Sequence, residues 1–197
     1  MKNKLISIDP GTRRCGIAVF EEDMKLVEYA LVTSKRKDYI DRIIEIVSNV
    51  INLLDKYSNE LYAVTIERYY VHPRKGANVI SEMIGILKYE IRKSYPEIFI
   101  INKFTSKQIH KLVSINDTDL SNKEHTKKCV VQLYINIQDN LAWDIYDAIA
   151  LGYVTLTKHG GKDGKKKANG KVSQVPKVNQ RKRSKKRTSS RNKSKKR

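Results

Sequence analysis

Three short apolar runs, residues 4–9, 15–20 and Leu26–Thr33, follow one another at the amino end, the first two joined only by Pro10-Gly11-Thr12-Arg13-Arg14. Runs of this length, bounded by turn-forming residues, read as three strands of an antiparallel meander. The period then changes. Tyr39, Ile43, Ile46, Val47, Val50, Ile51 and Leu54 recur every three or four positions across residues 38–57, the mark of a helix with one buried stripe. Leu61–Glu67 is a short apolar-rich strand. Residues 76–95 return to helical spacing through Val79, Met83, Ile86, Leu87 and Ile91 and stop at Pro96. Residues 98–101 form a fifth strand, and helical segments follow at 106–113, 122–134 and 140–157. Three strands, helix, strand, helix, strand and helices is an α/β order with mixed strand directions.

Charge divides the chain in two. The 40 Lys and Arg and 21 Asp and Glu leave +19, yet residues 158–197 alone hold 18 basic side chains and one acid, Asp163. Residues 1–157 therefore carry only +2. The expected organisation is a folded domain over 1–157 and a Lys/Arg-rich tail over 158–197, with almost no large apolar residue to offset the entropy of ordering, hence disordered. A domain of about 150 residues buries roughly 70% of its unfolded surface and needs no disulfide or structural metal to hold a core. Cys15 and Cys129 stand far apart and in no ligand spacing, which fits a reducing compartment. No run approaches the roughly 18 apolar residues of a membrane span or resembles a signal peptide, so an intracellular, soluble protein without a membrane partner is expected. A strongly basic tail points to a polyanionic partner, because it gains affinity by releasing counterions from nucleic acid. Its clusters Arg181-Lys182-Arg183 and Lys185-Lys186-Arg187 suit either a nuclear import signal or a sequence-independent DNA tether.

The chemistry lies in four acids. Ser7-Ile8-Asp9 ends the first strand and Thr65-Ile66-Glu67 the fourth, each acid with a small hydroxyl residue two positions back on the same face. If those strands are parallel neighbours, Asp9 and Glu67 project side by side at the carboxyl edge, where open α/β sheets place their sites. Asp144 and Asp147 are three apart in a helical segment and so lie on adjoining turns of one face, beside the apolar stripe Leu141, Ile145, Ala148, Ile149 and Gly152. Four carboxylates that converge suit Mg²⁺ or Mn²⁺, and two such ions about 3.5 to 4 Å apart can activate a water and stabilise a leaving oxygen in phosphodiester hydrolysis. A strand-end acid alone is usually a solvated edge residue. The joint occurrence of all four in this order of elements is what points to a site.

Ile8-Asp9-Pro10-Gly11-Thr12-Arg13-Arg14-Cys15-Gly16-Ile17-Ala18-Val19 resembles the opening strand and turn of RuvC-type Holliday junction resolvases. Thr65-Ile66-Glu67-Arg68-Tyr69-Tyr70 with the helix to Tyr95 is similar to that family's second acidic motif, and Asp144-Ile145-Tyr146-Asp147-Ala148-Ile149-Ala150 to its closing one. The three motifs occur in the expected order between Leu5 and Gly152; the short chain and basic tail resemble viral, poxvirus-type and phage members. The resemblance implies a ribonuclease-H-like fold, a five-stranded mixed sheet flanked by helices on both sides, and a homodimer that places two sites on a four-way DNA junction for symmetric nicking. It implies that Asp9, Glu67, Asp144 and Asp147 bind the divalent metals and that Tyr70 stacks on junction bases, worth about 1 to 3 kcal/mol per base. Phe104–Lys111 and Asn122-Lys123-Glu124 resemble the family's later DNA-facing segments, making Lys107, Lys111 and Lys123 candidates for DNA contact beside Arg74 and Lys75 in the loop after Glu67. The tail and the acidic residues Asp117 and Asp119 depart from the shared pattern.

Other readings stay open. A nuclease of the same fold could act on other branched DNA or on RNA–DNA hybrids, and a non-catalytic DNA-binding protein would keep the acids as relics. Asp-x-Gly-Thr before a glycine and a second strand is also the phosphate-binding turn of actin-like and sugar-kinase ATPases. Those need two such domains, and residues 1–157 supply one, so no nucleotide cofactor is expected. His72, His110 and His125 have no partner at ligand spacing and read as solvated or satisfied side chains; Trp143 and Cys15 read as core.

Overall fold

Leu5, Ile6 and Ile8 of the first strand are fully buried although they alternate between its faces. A strand apolar on both sides belongs inside a sheet covered by helices above and below. The computed structural model describes residues 2–69, 78–113, 123–135 and 137–159. Its sheet contains β1 (Lys4–Asp9), β2 (Arg14–Glu21), β3 (Leu26–Thr33), β4 (Leu61–Ile66) and β5 (Phe99–Ile101) in the order β3-β2-β1-β4-β5. The meander β1-β2-β3 is antiparallel, while β1–β4 and β4–β5 are parallel. The chain divides into two units, Met1–Gly164 and Lys165–Arg197; the described residues all belong to the first.

The period-two pattern of the strands sorts residues into two cores. Ile6, Ile8, Ile17, Val19, Val64 and Ile66 face α1 (Tyr39–Lys56) and α2 (Asn78–Ser94). Leu5, Ala18, Phe20 and Ala63 face α3 (Ser106–Val113), α4 (Lys123–Leu133) and α5 (Trp143–His159). The five-stranded mixed sheet with helices on both sides is the arrangement expected. Helix α1 starts where the Asp38 carboxylate accepts the backbone N–H groups of Ile40 at 2.8 Å and Asp41 at 3.2 Å, satisfying two of the donors a helix start leaves unpaired.

Helix α5 lies directly on the centre of the sheet. A β-carbon at Gly16 would stand 1.8 Å from the Asp144 carbonyl oxygen, so only glycine in β2 lets the first turn of α5 descend this far. The small hydroxyls that precede the two strand-end acids fasten the same helix: Ser7 Oγ donates to the Ala148 carbonyl at 2.7 Å, and Thr155 Oγ1 donates to Thr65 Oγ1 at 3.1 Å. The helix begins at Trp143 rather than at Asn140. The Tyr146 hydroxyl holds the preceding segment out of helical form, donating to the Gln138 carbonyl at 2.7 Å and accepting the Leu141 N–H at 3.3 Å. Asp144 thus stands in the first turn of α5, where an acid suits the positive end of the helix dipole.

Candidate active site

Parallel pairing of β1 with β4 sets Ser7 against Thr65 and Ile8 against Ile66. One residue further, the Glu67 N–H donates to the Ile8 carbonyl at 3.0 Å, which carries the ladder just past β4 and brings Glu67 beside Asp9. Each carboxyl acts on the proton affinity of the other. Burial, then the facing charges of Glu67, Asp147 and Asp144, push the Asp9 carboxyl well above the ordinary aspartate range. Glu67 is raised too, first by burial and then by Asp147, against the opposing pull of Asp9's hydrogen bond, the charge of His110 and the Ser106 backbone N–H. Two adjacent carboxyls repel when both are charged, so the pair binds a proton more readily than separated acids would.

Glu67 is held by groups that follow β5. Asn102 Nδ2 donates to the carbonyls of Ile66 at 2.9 Å and Glu67 at 3.1 Å. Gln108 Oε1 accepts the Thr105 N–H and the Thr105 hydroxyl, each at 3.0 Å, which ties down the start of α3, where the Ser106 N–H faces the Glu67 carboxylate.

Asp147 comes to the same place from α5 and is only 5% exposed. Its Oδ1 lies 3.2 Å from His110 Nε2, and its Oδ2 accepts from Lys123 Nζ at 3.2 Å. Burial works against the charge of Lys123, but Asp147, Asp9 and Asp144 outweigh it and raise the ammonium above its ordinary value. Asp9, Pro10, Glu67, Tyr69, Ser106, Lys123 and Asp147 line a cavity of about 220 Å³. A wider groove of about 460 Å³ runs beside it, lined by Glu67, Arg68, Tyr69, Thr105, Ser106 and Lys107.

Three of the four expected carboxylates thus share one cavity. Asp144 is not among its lining; its Oδ2 lies 3.1 Å from Arg14 Nη2 at the start of β2. Among the described residues no three His, Cys, Asp or Glu side chains stand close enough to ligate one ion as they are. The donor set nevertheless fits a hard divalent cation: it is all oxygen, and a cation would offset the burial and the neighbouring charges that raise Asp9 and Glu67. Lys107 and Lys111 are exposed on α3, Lys107 at the groove. Tyr70, Arg74, Lys75, His72, Asp117, Asp119 and the tail cluster Arg181, Lys182, Arg183, Lys185, Lys186 and Arg187 lie outside the described residues.

Spacing alone misses Arg14, Asn102, Ser106 and His110. Of these, His110 carried a sequence signal: it falls on the apolar side of α3 beside Ile109 and Val113, a place where an imidazole needs a partner. The structure buries it to 6% exposure against Asp147.

A central parallel strand pair with an acid at each carboxyl end, an antiparallel edge meander and a closing helix that delivers a third acid define a protein of the ribonuclease-H-like class. Residues 5–155 match the family model for crossover junction endodeoxyribonuclease RuvC, and the chain belongs to that family. It is 29% identical over 153 residues to the crossover junction endodeoxyribonuclease RuvC of Aliarcobacter butzleri (strain RM4018), covering 75% of this chain and 94% of that one. The fold is similar to that of Thermus thermophilus RuvC solved in complex with Holliday junction substrate, with a TM-score of 0.64 at 16% identity over 81% of this chain and 96% of the other. It is also similar to the fowlpox virus Holliday junction resolvase, with a TM-score of 0.52 at 15% identity, covering 79% and 99%. Among the described residues no helix is long and apolar enough to cross a membrane.

Proposed function

We propose that this chain is a divalent-metal-dependent endonuclease that resolves four-way DNA junctions by paired nicks. Family membership supports the substrate, and one observation carries the chemistry. Asp9 and Glu67 sit side by side on parallel strands and share a cavity with Asp147, two of the three with raised proton affinity. Asp9, Glu67 and Asp147 would hold Mg²⁺ or Mn²⁺, with Asp144 joining them once it turns from Arg14. Two such ions supply in-line attack of water on the phosphodiester and stabilisation of the leaving oxygen. Lys123, at the cavity rim, offers a positive charge to a phosphate oxygen. Tyr69, 40% exposed between cavity and groove, and Lys107 give the approaching strand a stacking surface and a phosphate contact. Lys111, exposed on α3, and Tyr70, Arg74 and Lys75, which follow Tyr69 in the sequence, are further candidates for DNA contact, and the basic tail adds a sequence-independent hold on DNA.

Paired nicks on a two-fold symmetric substrate need two sites, and the folded unit supplies one. A second copy of the chain is the partner. An apolar face is available to it: Tyr39, Ile40 and Ile44 of α1 and Ile86 and Tyr89 of α2 are exposed, around a groove of about 470 Å³ floored in part by Gly85. A two-fold interface buries the same patch on both copies.

The test is cleavage of a labelled synthetic four-way junction beside matched duplex, flap and RNA–DNA hybrid, with Mg²⁺, Mn²⁺ or EDTA, read on denaturing gels. Opposed nicks in the junction alone, absent in EDTA and absent in Asp9→Asn and Asp147→Asn proteins that still bind the junction, are expected. Cleavage retained in either variant would overturn the site, and cleavage of flap or hybrid in place of the junction would overturn the substrate.

A further inference from the structure

His110 belongs to neither the acidic motifs nor the cavity lining, yet it holds one of the acids. Ile109, His110 and Val113 are the buried residues of α3, and an imidazole on such a face is costly unless its nitrogen finds a partner. His110 Nε2 has two: Asp147 Oδ1 at 3.2 Å and Ser106 Oγ at 3.4 Å. The His110 and Asp147 side chains are both 7% exposed. The two oxygens of Asp147 therefore have unlike partners. Oδ2 faces Lys123, which lines the cavity and whose side chain is 58% exposed, free to move away. Oδ1 faces His110, which is packed in the core and cannot.

We propose that His110 is a positioning residue for Asp147. Its Nε2–H anchors Oδ1 and so fixes the plane of the carboxylate with Oδ2 turned into the cavity, ready to exchange the Lys123 ammonium for a divalent cation. The inference rests on the placement of Asp147 in the cation-binding set. Partners that hydrogen-bond a ligating carboxylate typically alter metal affinity or activity by about 10- to 100-fold when removed. Donation of a hydrogen bond is the required property, so a side chain with an N–H at the same reach should serve. Glutamine places its Nε2 there; leucine matches volume and offers no donor.

Full-length His110→Leu, His110→Gln and Asp147→Asn proteins are compared with the natural protein. The readouts are calorimetric Mn²⁺ affinity without DNA, junction affinity in EDTA, single-turnover junction cleavage and thermal melting. In His110→Leu, Mn²⁺ affinity and the cleavage rate should each fall about 10- to 100-fold while junction affinity is unchanged. His110→Gln should recover most of both. If His110→Leu does not fold, His110→Gln alone decides: metal affinity near that of the natural protein supports the assignment, and loss overturns it. Unchanged metal affinity in His110→Leu, or equal losses in both His110 variants at normal melting temperature, also overturns it. Asp147→Asn separates this failure from that of the site: if it keeps Mn²⁺ affinity and cleavage, the placement of Asp147 falls, whereas if it loses both while His110→Leu does not, only the role of His110 falls.

Discussion

Gly16→Ala should disable the site without touching an acid. The added β-carbon would lie 1.8 Å from the Asp144 carbonyl oxygen, 2.3 Å from its carbon and 3.0 Å from the Ile145 nitrogen. Carbon and oxygen come no closer than about 3.3 Å in ordinary contacts, so the first turn of α5 or strand β2 must retreat by more than about 1 Å. Neither can do so freely. Ser7 and Thr65 hold α5 further along its length, and β2 is paired on both sides. Overpacking of this kind costs about 1 to 3 kcal/mol. In a domain of this size that lowers the melting temperature by about 2 to 12 °C. The functional loss should exceed the structural one, because misplacing a catalytic group by about 1 Å can cost roughly 100-fold in rate. Single-turnover junction cleavage, junction affinity in EDTA and thermal melting of Gly16→Ala and the natural protein measure the three quantities. A cleavage rate near the natural value at a lowered melting temperature would refute the link between this contact and the placement of Asp144 and Asp147.

Asp9 and Glu67 are raised above their unfolded values, so the folded protein without cation holds protons that the unfolded chain releases. That stability is complete below the ordinary carboxylate range and is lost as pH rises through the raised values. Denaturant unfolding in EDTA from about pH 4 to about pH 8 should show the decline, with Asp9→Asn flattening it and exceeding the natural protein in stability at the upper end; parallel profiles would contradict the raised proton affinity of Asp9 and Glu67. Arg14→Gln frees Asp144 from its ion pair with Arg14, which at 53% exposure of the Arg14 side chain contributes little to stability, about 1 kcal/mol or less. Mn²⁺ should then bind more tightly in a calorimetric titration, and unchanged or weaker binding would show that Arg14 does not compete with the cation.

Legibility followed the range of the forces. Strands and helices could be read because alternation and the three-to-four spacing are local. Asp9 and Glu67 could be paired because Ser7 and Thr65, two residues back, mark the same face of each strand, and the parallel register then places the acids without further freedom. The start of α5 was displaced by three residues since the Tyr146 hydroxyl reaches back to Gln138 and Leu141, a contact no propensity encodes. Spacing put Asp144 and Asp147 on one helix face but could not divide their partners. Arg14 arrives from a strand 130 positions earlier in the sequence and His110 from a separate helix.

That division has a physical consequence. Three acids lining one cavity, with Asp144 close enough to act on Asp9, repel one another, and each has an offset. Here the offsets differ: Asp9 and Glu67 have raised proton affinity, Asp147 lies between a fixed imidazole and a mobile ammonium, and Asp144 leans on an exposed guanidinium. On the proposed function, the offsets nearest solvent, Lys123 and Arg14, and the protons held by Asp9 and Glu67 would give way to a divalent cation. The buried one, His110, stays. A site built this way would tolerate its own charge before metal arrives and exchange that tolerance for cation affinity, so the same substitution that stabilises the cation-free protein at Asp9 should abolish cleavage.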